Sequence, residues 1–212
     1  MKRNQKLGLF LFFIIVAVIG VWIFQIMNER MPYVDKFTRG LVGQLEGTLL
    51  YDLFRMMTNL GSEFFLYPFV VITAIVLFIW FKHWLPTVIF AGGTLSSHLV
   101  NTFIKSIVTR ERPSILVEAN AEGYSFPSGH AMISIVCYGL IGYFITKKLK
   151  SKAAIRIVQI LFSLLIFLIG ISRYVINVHY LTDIITGLFL GYLLLSGFIY
   201  LYERMNTKRS PS

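Results

Sequence analysis

Residues 7–27 run for 21 positions without a charged side chain. As an α-helix such a run crosses the hydrocarbon core of a bilayer, which takes roughly 20 residues. Inside a bilayer no water serves the backbone, so a spanning segment has to satisfy its own N–H and C=O groups, as a helix does. Comparable apolar runs follow at 66–81, 86–108, 129–146, 155–173 and 180–202. The expected fold is therefore all-α: a polytopic membrane protein with six transmembrane helices, one domain over 1–212 and no internal repeat. Composition agrees, with 56% hydrophobic and 14% charged residues, against about 25% charged in soluble domains.

The first run follows Lys2, Arg3 and Lys6, the arrangement of a signal peptide. A signal peptide has a shorter apolar core and a small-residue cleavage site. This run is longer and ends in Phe24-Gln25-Ile26-Met27, so it reads as an uncleaved first helix. The formal net charge is +10, but the basic residues flank apolar runs. They suit membrane orientation and anionic headgroups, and no nucleic-acid partner is expected. The lone Cys137 permits no intrachain disulfide and reads as a structural thiol.

Between the first two runs the chain is mixed. Phe37, Leu41, Leu45, Leu49 and Leu53 recur at helical spacing with polar residues opposite. This predicts an amphipathic interfacial segment over 33–60, lying on the membrane or, preferably, packed over the bundle. Gly61-Ser62 reads as the turn out of it. The third run opens near Pro86, carries Gly92-Gly93 for close helix contact, and is unusually polar. His98, Asn101 and Lys105 fall on one face of it, and polar groups at membrane depth face a bundle or a wet cavity.

With the amino terminus in the cytoplasm, twelve of the twenty Lys/Arg residues fall on the inner side, while Glu203 is the one acidic residue there. The bias predicts that both termini are cytoplasmic, and the membrane is taken to be the plasma membrane. In that topology the end of run three, the start of run four, the end of run five and the start of run six share the outer face. Each carries a polar motif.

The first motif is K-S-I-V-T-R-E-R-P, 105–113. Lys105 and Arg112 are fixed cations of the kind that hold a phosphate; Arg110 reads as an interfacial anchor snorkelling to headgroups. The second is P-S-G-H, 127–130. Ser128 suits a helix N-cap, the N–H groups of a helix start bind phosphate oxygens, Gly129 admits a close ligand, and His130 is placed to give a proton to a leaving oxygen. Alone it would equally fit a plain helix cap. The third is S-R-x5-H-x3-D, 172–183. Arg173 adds a third cation. His179 and Asp183 are four apart, one face of a helix, where a carboxylate orients a nucleophilic imidazole.

Two histidines, a carboxylate and three cations fit phosphoryl transfer through a phosphohistidine. There is no carboxylate cluster, and a cationic pocket would repel a divalent ion. The expectation is hydrolysis with no metal and no cofactor.

These three motifs, complete and in order, resemble the signature of the type 2 phosphatidic acid phosphatase superfamily. Its members include lipid phosphate phosphatases, bacterial class A acid phosphatases and vanadium haloperoxidases. The six-span layout resembles the lipid phosphatase branch, in particular the bacterial group of phosphatidylglycerophosphatase B and undecaprenyl-diphosphate phosphatases. The resemblance implies that Lys105, Arg112, Ser128, Gly129 and Arg173 hold the phosphate, with His130 as acid, His179 as nucleophile and Asp183 as its partner. It says nothing of His98, Asn101 or Tyr124, kept as cavity or substrate contacts. It implies a lipid phosphate or diphosphate substrate within membrane lipid and no obligate protein partner. Phosphatidylglycerol phosphate, undecaprenyl diphosphate and phosphatidate are the candidates. A transporter or flippase of anionic lipids is the alternative, but related halves with broken helices are missing. The apolar runs also argue against a haloperoxidase.

Overall fold

The computed structural model describes residues 3–42 and 44–207. Met1 and Lys2 of the expected basic amino terminus, and Lys208 and Arg209 of the tail, lie outside the described residues, as do the side chains of Arg3 and Leu41. Eight α-helices are described: α1 (Arg3–Met27), α2 (Tyr33–Val42), α3 (Leu49–Thr58), α4 (Glu63–Phe81), α5 (Trp84–Val108), α6 (Gly129–Lys148), α7 (Lys152–Val175) and α8 (Leu181–Thr207). Short 3-10 turns follow α3 at Asn59–Gly61 and precede α6 at Val117–Ala119.

Helices α1, α4, α6, α7 and α8 are long and apolar enough to cross a membrane. Their outward faces expose large apolar side chains such as Phe10, Ile72 and Leu161, as lipid-facing surfaces do. The chain is a multi-pass membrane protein. Helix α5 matches the expected third run and has 25 residues, but Ser96, Ser97, His98, Asn101 and Lys105 make it more polar than the other five.

Helix α6 is the buried centre, packed by α5, α7 and α8. Small residues let the others approach. A Cβ added at Gly187 would come within 2.6 Å of the Ser128 carbonyl oxygen, and one at Gly191 within 2.7 Å of that of Met132. The amino-terminal half of α8 is thus pressed onto the first turns of α6, which brings two of the motifs together. Gly93 plays this part toward Leu140 and Phe198, whereas Gly92 has nothing within 4 Å. Cys137 is buried in the same core.

The segment over 33–60 departs from the expected single amphipathic helix. It is two helices, α2 and α3, interrupted around Gly47 at φ +78, a left-handed backbone that glycine adopts without strain. Thr48 then caps α3 by accepting the Tyr51 N–H at 3.3 Å. The apolar residues divide between two faces, with Val42 and Phe54 turned inward. Phe37, Leu49 and Leu53 are exposed, while Asp35 of α2 and Thr58 of α3 are buried. Helix α2 packs on α8 and α3 on α7, and their inward faces are mixed: Val42 is buried beside Asp35 on α2, and Tyr51 and Phe54 pack inward beside Thr58 on α3.

Candidate active site

The loop between α7 and α8 carries His179, two residues before the helix that holds Asp183. The pair meets nonetheless, with His179 Nδ1 3.3 Å from Asp183 Oδ2. The same carboxylate oxygen accepts the Tyr180 N–H at 2.9 Å, which fixes the first turn of α8 around it. On the other side of the ring, Arg112 Nη1 lies 2.8 Å from His179 Nε2. A guanidinium only donates, so Nε2 accepts and the proton is on Nδ1, facing Asp183. The lone pair of a nucleophilic imidazole is on Nε2.

Arg112 comes from the loop after α5. It also donates to the carbonyls of Glu122, Gly123 and Val178, at 3.0–3.2 Å. Lys105, in the last turn of α5, donates to the Tyr124 carbonyl at 2.9 Å. Tyr124 therefore contributes its backbone, and its ring is exposed. Asn101 is buried and donates to the Pro127 carbonyl at 3.1 Å, holding the loop that leads into α6. His98 is 3.7 Å from Glu63 at the start of α4.

Ser128 caps α6, accepting the Ala131 N–H at 3.4 Å, and its own N–H donates to the Asp183 carbonyl at 3.0 Å. The starts of α6 and α8 are thereby tied directly. Gly129 and His130 form the first turn of α6, and the His130 ring lies against Gly61, where a Cβ would be 2.9 Å from its Cδ2. Arg173, in the last turn of α7, is fully buried. Its Nη1 donates to Thr58 Oγ1 at 2.9 Å and to the Ala119 carbonyl at 2.7 Å. Among the described residues, Arg173 Nε and Nη2 and His130 Nε2 are buried with no hydrogen-bond partner.

Lys105, Arg112, Gly129, His130 and His179 line one cavity of about 170 Å³, together with His98 and Asn101. A water needs only ~10–15 Å³, so this space admits a headgroup. Burial, then the positive charges of Arg112, Arg173 and Lys105, hold the His179 imidazole well below its ordinary 6.5; it is a neutral base here. Burial also brings the Arg112 guanidinium down to about 10, against the pull of Asp183. Buried cations beside an imidazole whose free lone pair is on Nε2 can hold an anion and offer it a nucleophile.

Behind the imidazole the structure corrects the reading of Arg110. It is no headgroup anchor. It is buried, with Nη1 2.6 Å from Asp183 Oδ1 and 2.9 Å from Thr182 Oγ1, Nη2 2.8 Å from Asp35 Oδ2, and its guanidinium 3.7 Å over the Tyr180 ring. A basic residue just past an apolar helix has the look of an anchor, and its partners are about 75 residues away on other elements. Asp35 and Thr58 are likewise not singled out by the sequence, and Gly61 reads there only as a turn. An acidic residue in a helix's first turn and a glycine in a turn are ordinary features, so neither draws notice.

The comparisons with known proteins point the same way as the geometry. Phosphatidylglycerophosphatase B of Bacillus subtilis (strain 168) is 32% identical over 195 residues, 90% of this chain and 91% of that protein. The crystal structure of a transmembrane PAP2 type phosphatidylglycerolphosphate phosphatase from Bacillus subtilis superposes with a TM-score of 0.74 at 26% identity, covering 92% of this chain and 96% of that one. Aquifex aeolicus LpxE shares the fold at a TM-score of 0.58 and 22% identity, over 76% of this chain and 91% of that one. The PAP2 superfamily profile matches residues 86–207, which hold all three motifs, and the chain belongs to that superfamily.

Proposed function

We propose that this protein is an outward-facing lipid phosphate phosphatase that removes the terminal phosphate of phosphatidylglycerol phosphate through a phosphohistidine, without a metal or cofactor. Helix α5 is the third of six spans, both termini are cytoplasmic, and the cavity opens at the outer face. The observation that carries the reading is the His179 Nε2 lone pair, directed to Arg112 with Nδ1 held on Asp183, in a cavity shared with His130 and Lys105.

The substrate phosphate displaces Arg112 from Nε2, and the arginine fork then takes phosphate oxygens instead of nitrogen. Lys105, the two unfilled Arg173 donors and the N–H groups at the start of α6 hold the remaining oxygens. The Nε2 lone pair attacks phosphorus in line as the bond to the lipid oxygen breaks, and His130 gives that oxygen a proton. Asp183 stabilises the cationic phosphorylated ring. Water then attacks phosphorus, His130 takes its proton, the N–P bond breaks and inorganic phosphate leaves. Acyl tails lie against the exposed apolar helix faces. The 32% identity to phosphatidylglycerophosphatase B supports that substrate first; undecaprenyl diphosphate and phosphatidate share the terminal phosphate and follow it.

The test is phosphate release in detergent with EDTA from those three lipids and a soluble phosphate ester, with His179→Ala as the blank. EDTA-resistant release that is fastest from phosphatidylglycerol phosphate and absent from the blank is expected. No release from any of them by folded protein would leave an anion-binding site and no enzyme.

A further inference from the structure

Asp35 is the one acidic residue of α2. It is buried, and its carboxylate makes three contacts. Oδ1 accepts the N–H of Thr182 at 3.0 Å, while Oδ2 accepts Thr182 Oγ1–H at 2.6 Å and Arg110 Nη2–H at 2.8 Å. Thr182 is the second residue of α8, where a helix N–H has no partner of its own. Helix α2 therefore supplies, from another part of the chain, a cap for the helix that carries Asp183. Asp35 also lies outside residues 86–207, the stretch that matches the superfamily.

Charge gives the cluster a second meaning. Arg110 divides its guanidinium between Asp35 and Asp183, so the three side chains carry one net negative charge. Without Asp35, Arg110 and Asp183 would form a neutral pair, and His179 would face no net charge at its back. Arg112 meets the ring's other nitrogen, and Lys105 and His130 share the cavity with it, all positive or neutral. Arg39, which donates to Tyr180 Oη at 3.0 Å, adds a further cation behind the site. A ring that becomes cationic when phosphorylated needs a negative partner in such surroundings.

We infer that Asp35 is a positioning residue for the reaction: it balances Arg110 so that Asp183 keeps the negative charge that stabilises the phosphorylated His179. The inference rests on the reading of His179 as nucleophile. Asp35 touches neither substrate nor His179 and acts through Arg110 and Asp183.

Asp35→Asn and Thr182→Val test it as a pair, in the full-length protein in detergent. Both remove a hydrogen bond from the same buried cluster, but only the first alters its charge. Asp35→Asn is expected to lower kcat about ten- to a hundredfold, with KM and inhibition by inorganic phosphate unchanged. Thr182→Val is expected to lower the melting temperature comparably and kcat by about threefold at most. Equal kcat losses in the two variants, or a parallel loss of phosphate affinity in Asp35→Asn, would reduce Asp35 to a packing role and overturn the inference. So would an Asp35→Asn protein with the parent's kcat. Should Asp35→Asn not fold, Asp35→Glu decides. It keeps the charge and is expected within about tenfold of the parent, while a folded Asp35→Glu slower than about a hundredfold would overturn the inference. The parent and His179→Ala run alongside. Activity in the parent and none in His179→Ala keeps the nucleophile assignment standing whatever Asp35 does, and equal rates in those two would sink that assignment instead.

Discussion

The two sides of the His179 ring are built on opposite terms. In front, Lys105, Arg112 and His130 share the cavity with it, and among the described residues His130 Nε2 and two nitrogens of Arg173 are buried without partners. Behind, Asp35, Thr182, Arg110 and Asp183 satisfy one another at 2.6–3.0 Å. Buried polar groups without partners cost stability, whereas a fully satisfied network holds its geometry. The back therefore holds the His179 ring in one tautomer and one orientation, and on the proposed reading the donors in front are the ones that meet the phosphate.

Substitutions on the two sides should therefore separate stability from rate. Arg110→Gln leaves two buried carboxylates without their cation and should destabilise the protein by about 3–5 kcal/mol, read by thermal or denaturant unfolding in detergent. A change below about 1 kcal/mol would mean that the back is not the rigid half. Arg173→Lys, in front, should leave the melting temperature near the parent's and cut kcat/KM about a hundredfold, since an ammonium cannot make the two-pronged contact. A rate within a few-fold would show that the unfilled donors do not meet the substrate.

Gly61→Ala probes the wall between α4 and the front. The added Cβ would meet Ile169 at 2.6 Å and His130 at 2.9 Å. Displacing the imidazole should slow turnover about tenfold with little change in KM. An unchanged kcat would place the His130 ring elsewhere in the working enzyme. The smallest effect is expected from pH. Burial and the neighbouring cations keep His179 well below 6.5, so it stays the free base throughout this range. Between pH 7 and 6, kcat/KM should change by less than about 1.5-fold once the substrate phosphate's own ionisation near 6 is allowed for. An ordinary imidazole would lose about threefold over that interval as it protonates.

The front was legible in the sequence, and of the back only Asp183 was. Lys105, Arg112, Ser128, Gly129, His130, Arg173, His179 and Asp183 belong to compact motifs at helix ends, and helix ends at one face of a bundle converge of necessity. His98 and Asn101 also reach the cavity, because their i, i+3 spacing places them on the Lys105 face of α5. Asp35 and Arg110 are 75 residues apart, and no local pattern announces their pairing. The same blindness affected α2 and α3. Periodicity located their apolar residues but could not say which would pack inward, as Val42 and Phe54 do, and which would stay exposed, as Phe37, Leu49 and Leu53 do. The burial of Asp35 and Thr58 on those same inward faces has no counterpart in the pattern either.

The most direct measurement is a trapping experiment on the nucleophile. Purified protein would be mixed briefly with phosphatidylglycerol phosphate labelled at its terminal phosphate, stopped in alkali, digested, and mapped for bound label. The account predicts acid-labile, alkali-stable label on the peptide containing His179, none on the His130 peptide, and none at all in His179→Ala. Normal turnover with His130 labelled instead, or a His179→Ala protein that still hydrolyses the lipid at the parent's rate, would contradict it.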